Sequence, residues 1–166
     1  MLFYSLMPLG PALAAEVSGI DLSLPLDPDT AEALAEALAA HLVLVFRGQS
    51  LSREQYRQAA SAVPSAAATW LYGPDEPPAD GPTPIASLRA VRDELPDDAQ
   101  ARLAAMPAPE MRTHMRDHVD WQSEPAFVYR HAWRRGDVVL IDDRATLHRA
   151  HVEEDGRLLW RIVVAE

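Results

Sequence analysis

Apolar and polar positions alternate along this chain with two periods, and the change from one to the other marks out its elements. Residues 8–26 alternate weakly and include Gly19-Ile-Asp-Leu, which suits a strand and a turn. Asp27-Pro28 then opens a helix: Asp27 can cap, and Pro28 suits a first position whose N–H would be unpaired anyway. Ala31, Leu34, Ala35, Leu38 and Leu42 follow the helical stripe. Val43 to Phe46 is a short buried strand closed by Arg47-Gly48, and Ser52 with Gln55 forms a capping box for a second helix to about Ala62.

The middle of the chain changes character. Trp70-Leu-Tyr reads as a strand, and five prolines from Pro74 to Pro84 make a loop that includes Thr83. Helices are predicted from Ser87 to Glu94, from Pro96 to near Met106, and over 109–120. Phe127 to Trp133 alternate as a strand. Gly136-Asp137 makes a tight turn into the apolar strand Val138–Ile141, and His148 follows just before another strand. This order implies α+β, a mostly antiparallel sheet with helices on one side. The 166 residues form one domain, with no repeat and no low-complexity tract.

Composition narrows the function. A net charge of −10 opposes nucleic-acid binding, so an anionic ligand would need local arginines. Cysteine is absent, which removes disulfides, thiolate metal sites and thiol nucleophiles. No apolar run reaches the length of a membrane span. Ala12-Leu13-Ala14 resembles a signal-peptidase site, but the start carries no Lys or Arg and Pro8, Gly10 and Pro11 interrupt it. A cytoplasmic protein is expected. His148, with Arg157 and Arg161, supplies groups suited to a metal and an anion.

Three blocks together resemble the TauD/TfdA family of Fe(II)/2-oxoglutarate-dependent dioxygenases. They are Pro8 to Leu22 with His41-Leu-Val-Leu-Val-Phe-Arg-Gly-Gln and the Ser52 helix; Trp70 to Thr83 with Ser87-Leu-Arg-Ala; and Tyr129-Arg-His-Ala-Trp133, Gly136-Asp137 and Asp142 to His148 with the two arginines. The resemblance implies a shortened double-stranded β-helix, or jelly roll, with flanking helices. It implies an oxidoreductase that uses iron and 2-oxoglutarate on a small molecule. It makes His148 the distal metal ligand, Arg157 the grip on the far carboxylate of 2-oxoglutarate, Thr83 its assistant, and Arg161 a second arginine near substrate or co-substrate.

The family's His-x-Asp pair is not where it should be, because residues 62–69 contain no His, Asp or Glu. The chain is shortened near 62–70 and again near 107–112, and one histidine does not hold Fe(II) in a defined geometry. His118-Val119-Asp120 is a His-x-Asp that reads as a helix end and loop, with a ligand role as the alternative. Glu110, His114 and His118 are spaced for one helix face, most simply a solvated one. His131 reads as structural, His41 as a partner of its helix's carbonyl end, and Asp142-Asp143 as turn and capping residues. No catalytic side chain is assigned. Two readings stand: an oxygenase whose remaining ligands come from His118 and Asp120 or from another chain, and a non-catalytic, metal-free relative that binds an anion or a partner. That partner would be a second copy or an intact paralogue.

Overall fold

The computed structural model describes residues 4–65, 67–73, 82–122, 125–148 and 160–164. In chain order these form β1 (Ser5–Pro8), β2 (Ala15–Ser18), α1 (Pro28–His41), β3 (Val43–Phe46), α2 (Arg53–Ala62), β4 (Ala68–Gly73), β5 (Thr83–Ser87), α3 (Leu88–Asp93), α4 (Asp97–Ala104) and α5 (Ala108–His118). A 3-10 turn at Pro125–Phe127 leads into β6 (Val128–His131), β7 (Asp137–Asp142), β8 (Thr146–His148) and β9 (Trp160–Val164).

The expected caps are present. The Asp27 carboxylate accepts the Thr30 amide at 2.9 Å, and Ser52 and Gln55 exchange both bonds of the capping box. Two local expectations are corrected. Thr83 begins strand β5 instead of lying in a loop, because its neighbours pair in register with β6. His148 ends a three-residue strand instead of preceding one.

Among the described residues the strands form two sheets, ordered β1-β2-β3-β7-β4-β9 and β6-β5-β8. β3 and β7 are apolar on both faces and buried throughout apart from the Asp142 end, as strands covered on two sides must be. The inner face of the large sheet offers Val43, Val45, Leu71, Val139 and Ile141 to Ile85 and Tyr129 of the small one. Its outer face packs Leu44, Trp70, Tyr72 and Leu140 against Leu34, Leu38, Tyr56 and Ala60 of α1 and α2. On the outer face of the small sheet, Ala86, Val128 and Leu147 meet Leu88, Val91, Leu103 and Met115 of α3, α4 and α5. Helices therefore cover both outer faces, not one, because both sheets carry apolar residues there.

A buried polar chain ties the two sheets together. Asp137 and His131 are each 0% exposed. Asp137 Oδ2 accepts from Arg47 Nη1 at 2.6 Å, from the Arg134 amide at 2.8 Å and from His131 Nε2 at 3.0 Å. With its Nε2 proton directed at that carboxylate, His131 accepts a hydrogen bond from the Tyr129 hydroxyl at Nδ1, 2.7 Å away. Burial pushes the Tyr129 phenol up to about 12, so it remains a donor at neutral pH. The Trp133 ring stands edge-on to His131, with centroids 4.6 Å apart, and its indole N–H donates to Thr83 Oγ1 at 2.8 Å.

Gly136 precedes this chain at φ +86°, where side chains are strained, and a Cβ there would come within 2.9 Å of the Gln49 carbonyl oxygen. The close approach is used. The Gln49 amide donates to the Gly136 carbonyl at 2.8 Å, and the Gly136 amide donates to the Gly73 carbonyl at 2.7 Å.

Candidate functional site

The site grows from the turn between β7 and β8. The Asp142 carbonyl accepts from Thr146 Oγ1 at 2.7 Å, the Arg144 amide donates to the Asp142 carboxylate at 3.0 Å, and the Ala145 carbonyl accepts the Leu88 amide at 3.0 Å. Burial raises the Asp142 pKa, with those turn amides opposing it. The turn therefore fixes where Asp143 and His148 begin and end. His148 lies opposite Ile85 of β5, so the two share the inner face of the small sheet.

Asp143 stands between His148 and β4. Its Oδ1 lies 2.9 Å from His148 Nε2, and its Oδ2 accepts from Thr69 Oγ1 at 2.8 Å. Thr69 faces inward because it and Leu71 alternate on one side of β4, and Leu71 lies in the apolar layer between the sheets.

β9 brings Arg161 to the same face, opposite Leu71, with Val163 opposite Thr69. The strand is anchored from behind. Tyr56 of α2 donates to the Trp160 carbonyl at 2.9 Å, and the rings of Tyr56, Tyr72 and Trp160 lie within 5.2 to 6.0 Å of one another. A helical stripe of α5, Pro109, Arg112, Thr113 and Arg116, supplies another wall. These groups enclose a pocket of about 290 Å³, at the small end for organic ligands. Three guanidinium groups line it against the single carboxylate of Asp143. Arg116 is held by Asp117, with Nε to Oδ1 at 3.0 Å, and that hydrogen bond raises its pKa further. A positive pocket in a chain of net charge −10 is a local design for an anion.

The residues expected at the site are only partly brought together. His148 and Arg161 line the pocket. Thr83 does not line it; it is buried on β5 beneath Trp133. Arg157 lies outside the described residues. His118 and Asp120 are exposed at the far end of α5 and beyond, and they do not join His148. Among the described residues no three His, Asp or Glu side chains form a group that could hold a metal. The Glu110, His114 and His118 stripe is excluded with them, although the His114 and His118 rings lie 4.9 Å apart.

The fit to iron fails at the donor set. A facial site needs two imidazoles and a carboxylate, each offering a lone pair. Here His148 Nε2 points its proton at Asp143, and β4 presents Thr69 and Leu71 on its inner face. The described residues do not form the iron centre, and no reaction step is assigned through it.

Arg112, Arg116 and Thr69 were not singled out from the sequence. The three-residue and four-residue spacing of Pro109, Arg112, Thr113 and Arg116 was a usable signal. Nothing local linked Thr69 to a carboxylate 74 residues away.

The model of the family described as taurine catabolism dioxygenase TauD, TfdA family matches residues 5–67 and 100–163 of this chain. Thr83 falls between the two matched stretches. An alpha-ketoglutarate-dependent 2,4-dichlorophenoxyacetate dioxygenase of Burkholderia sp. (strain RASC) is 37% identical over 49 residues, which is 30% of this chain and 16% of that protein's length. The crystal structure of AAD-2 in complex with Mn(II) and N-oxalylglycine superposes with a TM-score of 0.80 at 21% identity, covering 99% of this chain and 98% of that one. A taurine dioxygenase from Burkholderia xenovorans superposes at 0.68 with 17% identity, over 86% of this chain and 81% of its own. At these identities the superpositions establish the fold, an α+β jelly roll with flanking helices.

Proposed function

Because this chain belongs to the TauD, TfdA family of dioxygenases, we propose that its His148 pocket binds a small organic carboxylate of the 2-oxoglutarate class. The observation that carries this reading is the convergence of Arg112, Arg116 and Arg161 on a pocket whose Asp143 carboxylate is already engaged by Thr69 and His148. Arginine pairs with carboxylate through two parallel N–H donors, which gives such a pocket both affinity and orientation. In this reading Arg161 and Arg157 are the carboxylate anchors. Thr83, whose hydroxyl accepts the Trp133 indole N–H, lies outside this pocket.

Residues 1–166 work as one domain, in the cytoplasm, on a small molecule; no helix of the described residues is long and apolar enough to cross a membrane. Binding is expected without metal. Calorimetry with 2-oxoglutarate in the presence of a chelator should give a saturable heat, and Arg161→Ala should weaken it about tenfold or more. Binding that requires added Fe(II), or no binding at all, would sink the metal-free reading.

A second reading, iron-dependent oxidation of a small molecule, is favoured by the presence of His148 within the matched stretch 100–163. It needs ligands from outside the described residues or from another chain. Oxygen-dependent succinate release from 2-oxoglutarate, with iron and ascorbate supplied, would establish it, and its absence would leave the binding reading alone.

A further inference from the structure

We infer that the free edge of β9 is where two copies of this chain meet, strand against antiparallel strand, about a two-fold axis at Ile162. Among the described residues β9 ends the large sheet and pairs only with β4. The ladder itself shows which backbone groups are left over. The Asp142 amide donates to the Leu42 carbonyl, and the Asp143 amide to the Ala67 carbonyl. Alternation along an antiparallel ladder therefore turns the odd-numbered residues of β4 toward β7 and leaves Ala68, Trp70 and Tyr72 to bond β9. Their partners there are Val164, Ile162 and Trp160. The N–H and C=O groups of Arg161 and Val163 consequently point away from the sheet.

Those outward groups match a second copy of the same strand. With Ile162 opposite the partner's Ile162, Arg161 lies opposite the partner's Val163, and Val163 opposite the partner's Arg161. Both pairs then exchange N–H and C=O, so no outward group of either residue is left over. A two-fold centred on Arg161 would instead set two guanidinium groups directly opposite each other. The side chains fit the same register. Val163 is 51% exposed, and the aliphatic stem of the partner's Arg161 would cover it. β9 contains neither proline nor acid, whereas β1, at the other edge of this sheet, ends in Pro8. An isologous contact of this kind closes at two copies. Arg161 and Val163 also line the His148 pocket, so the contact lies beside it.

Sedimentation velocity on the full chain from about 5 to 500 µM tests this, because so short a contact makes a weak, reversible dimer. A monomer–dimer equilibrium is expected. Val163→Lys sets a cation opposite the partner's Arg161 and should weaken the dimer roughly tenfold, since the change acts twice across the two-fold. Val163→Glu should tighten it. Val163→Pro removes an outward N–H, leaves the bonds to β4 in place and should abolish the dimer. Met7→Lys, at an exposed position of β1, should change nothing. A chain that stays monomeric over the whole range overturns the inference, and so does growth beyond two copies. A dimer indifferent to charge at position 163, or broken by Met7→Lys, overturns it equally. If the circular dichroism spectrum shows that Val163→Pro does not fold, the two charge variants decide alone, because neither alters the backbone.

Discussion

Asp137→Ala is expected to cost about 3–5 kcal/mol, the range for removing one partner of a buried ion pair. Asp137 Oδ2 receives three donors, from Arg47, His131 and the Arg134 amide, and the substitution strands all three. Arg47 keeps a partial outlet, because its side chain is 23% exposed and Glu16 lies 3.6 Å from its Nε. His131 has no such outlet at 0% exposure, and its neighbours Tyr129 and Trp133 are fixed against it. Chemical denaturation should show the loss as a lower midpoint with an unchanged slope. Asp137→Asn, which keeps one acceptor oxygen and loses the charge, should lose less. A loss under about 1 kcal/mol for the alanine variant would mean that the two sheets are held by apolar contact alone.

Trp121→Ala is the other large effect expected, about 3–5 kcal/mol, on the scale of deleting a buried aromatic ring. Trp121 is 1% exposed, packs with Met115, Leu103 and Val128, and donates to the Arg116 carbonyl at 3.1 Å. It is thus the clamp on the last turn of α5. For a chain of this length the melting temperature should fall on the order of 10 °C. Trp121→Phe should keep most of the packing and forfeit only the hydrogen bond, near 1 kcal/mol. The alanine variant should also bind 2-oxoglutarate less tightly, since Arg112 and Arg116 ride on the helix that it loosens. Unchanged binding with the expected loss of stability would separate the pocket from the clamp.

The elements that could be read from the sequence were those written in local chemistry. Asp27-Pro28 and the Ser52/Gln55 box mark helix starts because a cap acts within three residues. Gly136-Asp137 marks its turn because a positive φ selects glycine. Thr83 was harder: among prolines it looks like loop, and only its pairing with His131 across the sheet makes it strand. The three later helices were legible as helices, but that they cover a second sheet face was missed for a similar reason. Their partners, Val128 and Leu147, lie on short strands whose outward side has no periodic signature of its own.

The site was legible at its motif and obscure at its walls. His148 and Arg161 stand out as residue types at a strand rim. The Asp143–Thr69 pair and the α5 arginines depend on a fold that brings together segments far apart in the chain. The alternative ligand pair His118 and Asp120 illustrates the limit of spacing: the helix carries His118 away from the face that lines the pocket.

The place of β7 in the large sheet has a consequence for how the chain is made. β7 lies between β3 and β4, although it is synthesised after both. A nascent chain that has emerged from the ribosome through Arg135 presents two apolar strands with an empty lane between them. Neither can complete its ladder until Asp137–Asp142 arrives. Vectorial synthesis therefore cannot finish the N-terminal half first, and the exposed strand edges must be tolerated or shielded in the interval. Such late, long-range closure belongs to slowly folding chains. It also means that the His148 turn, which follows β7 directly, takes shape only when the sheet itself closes.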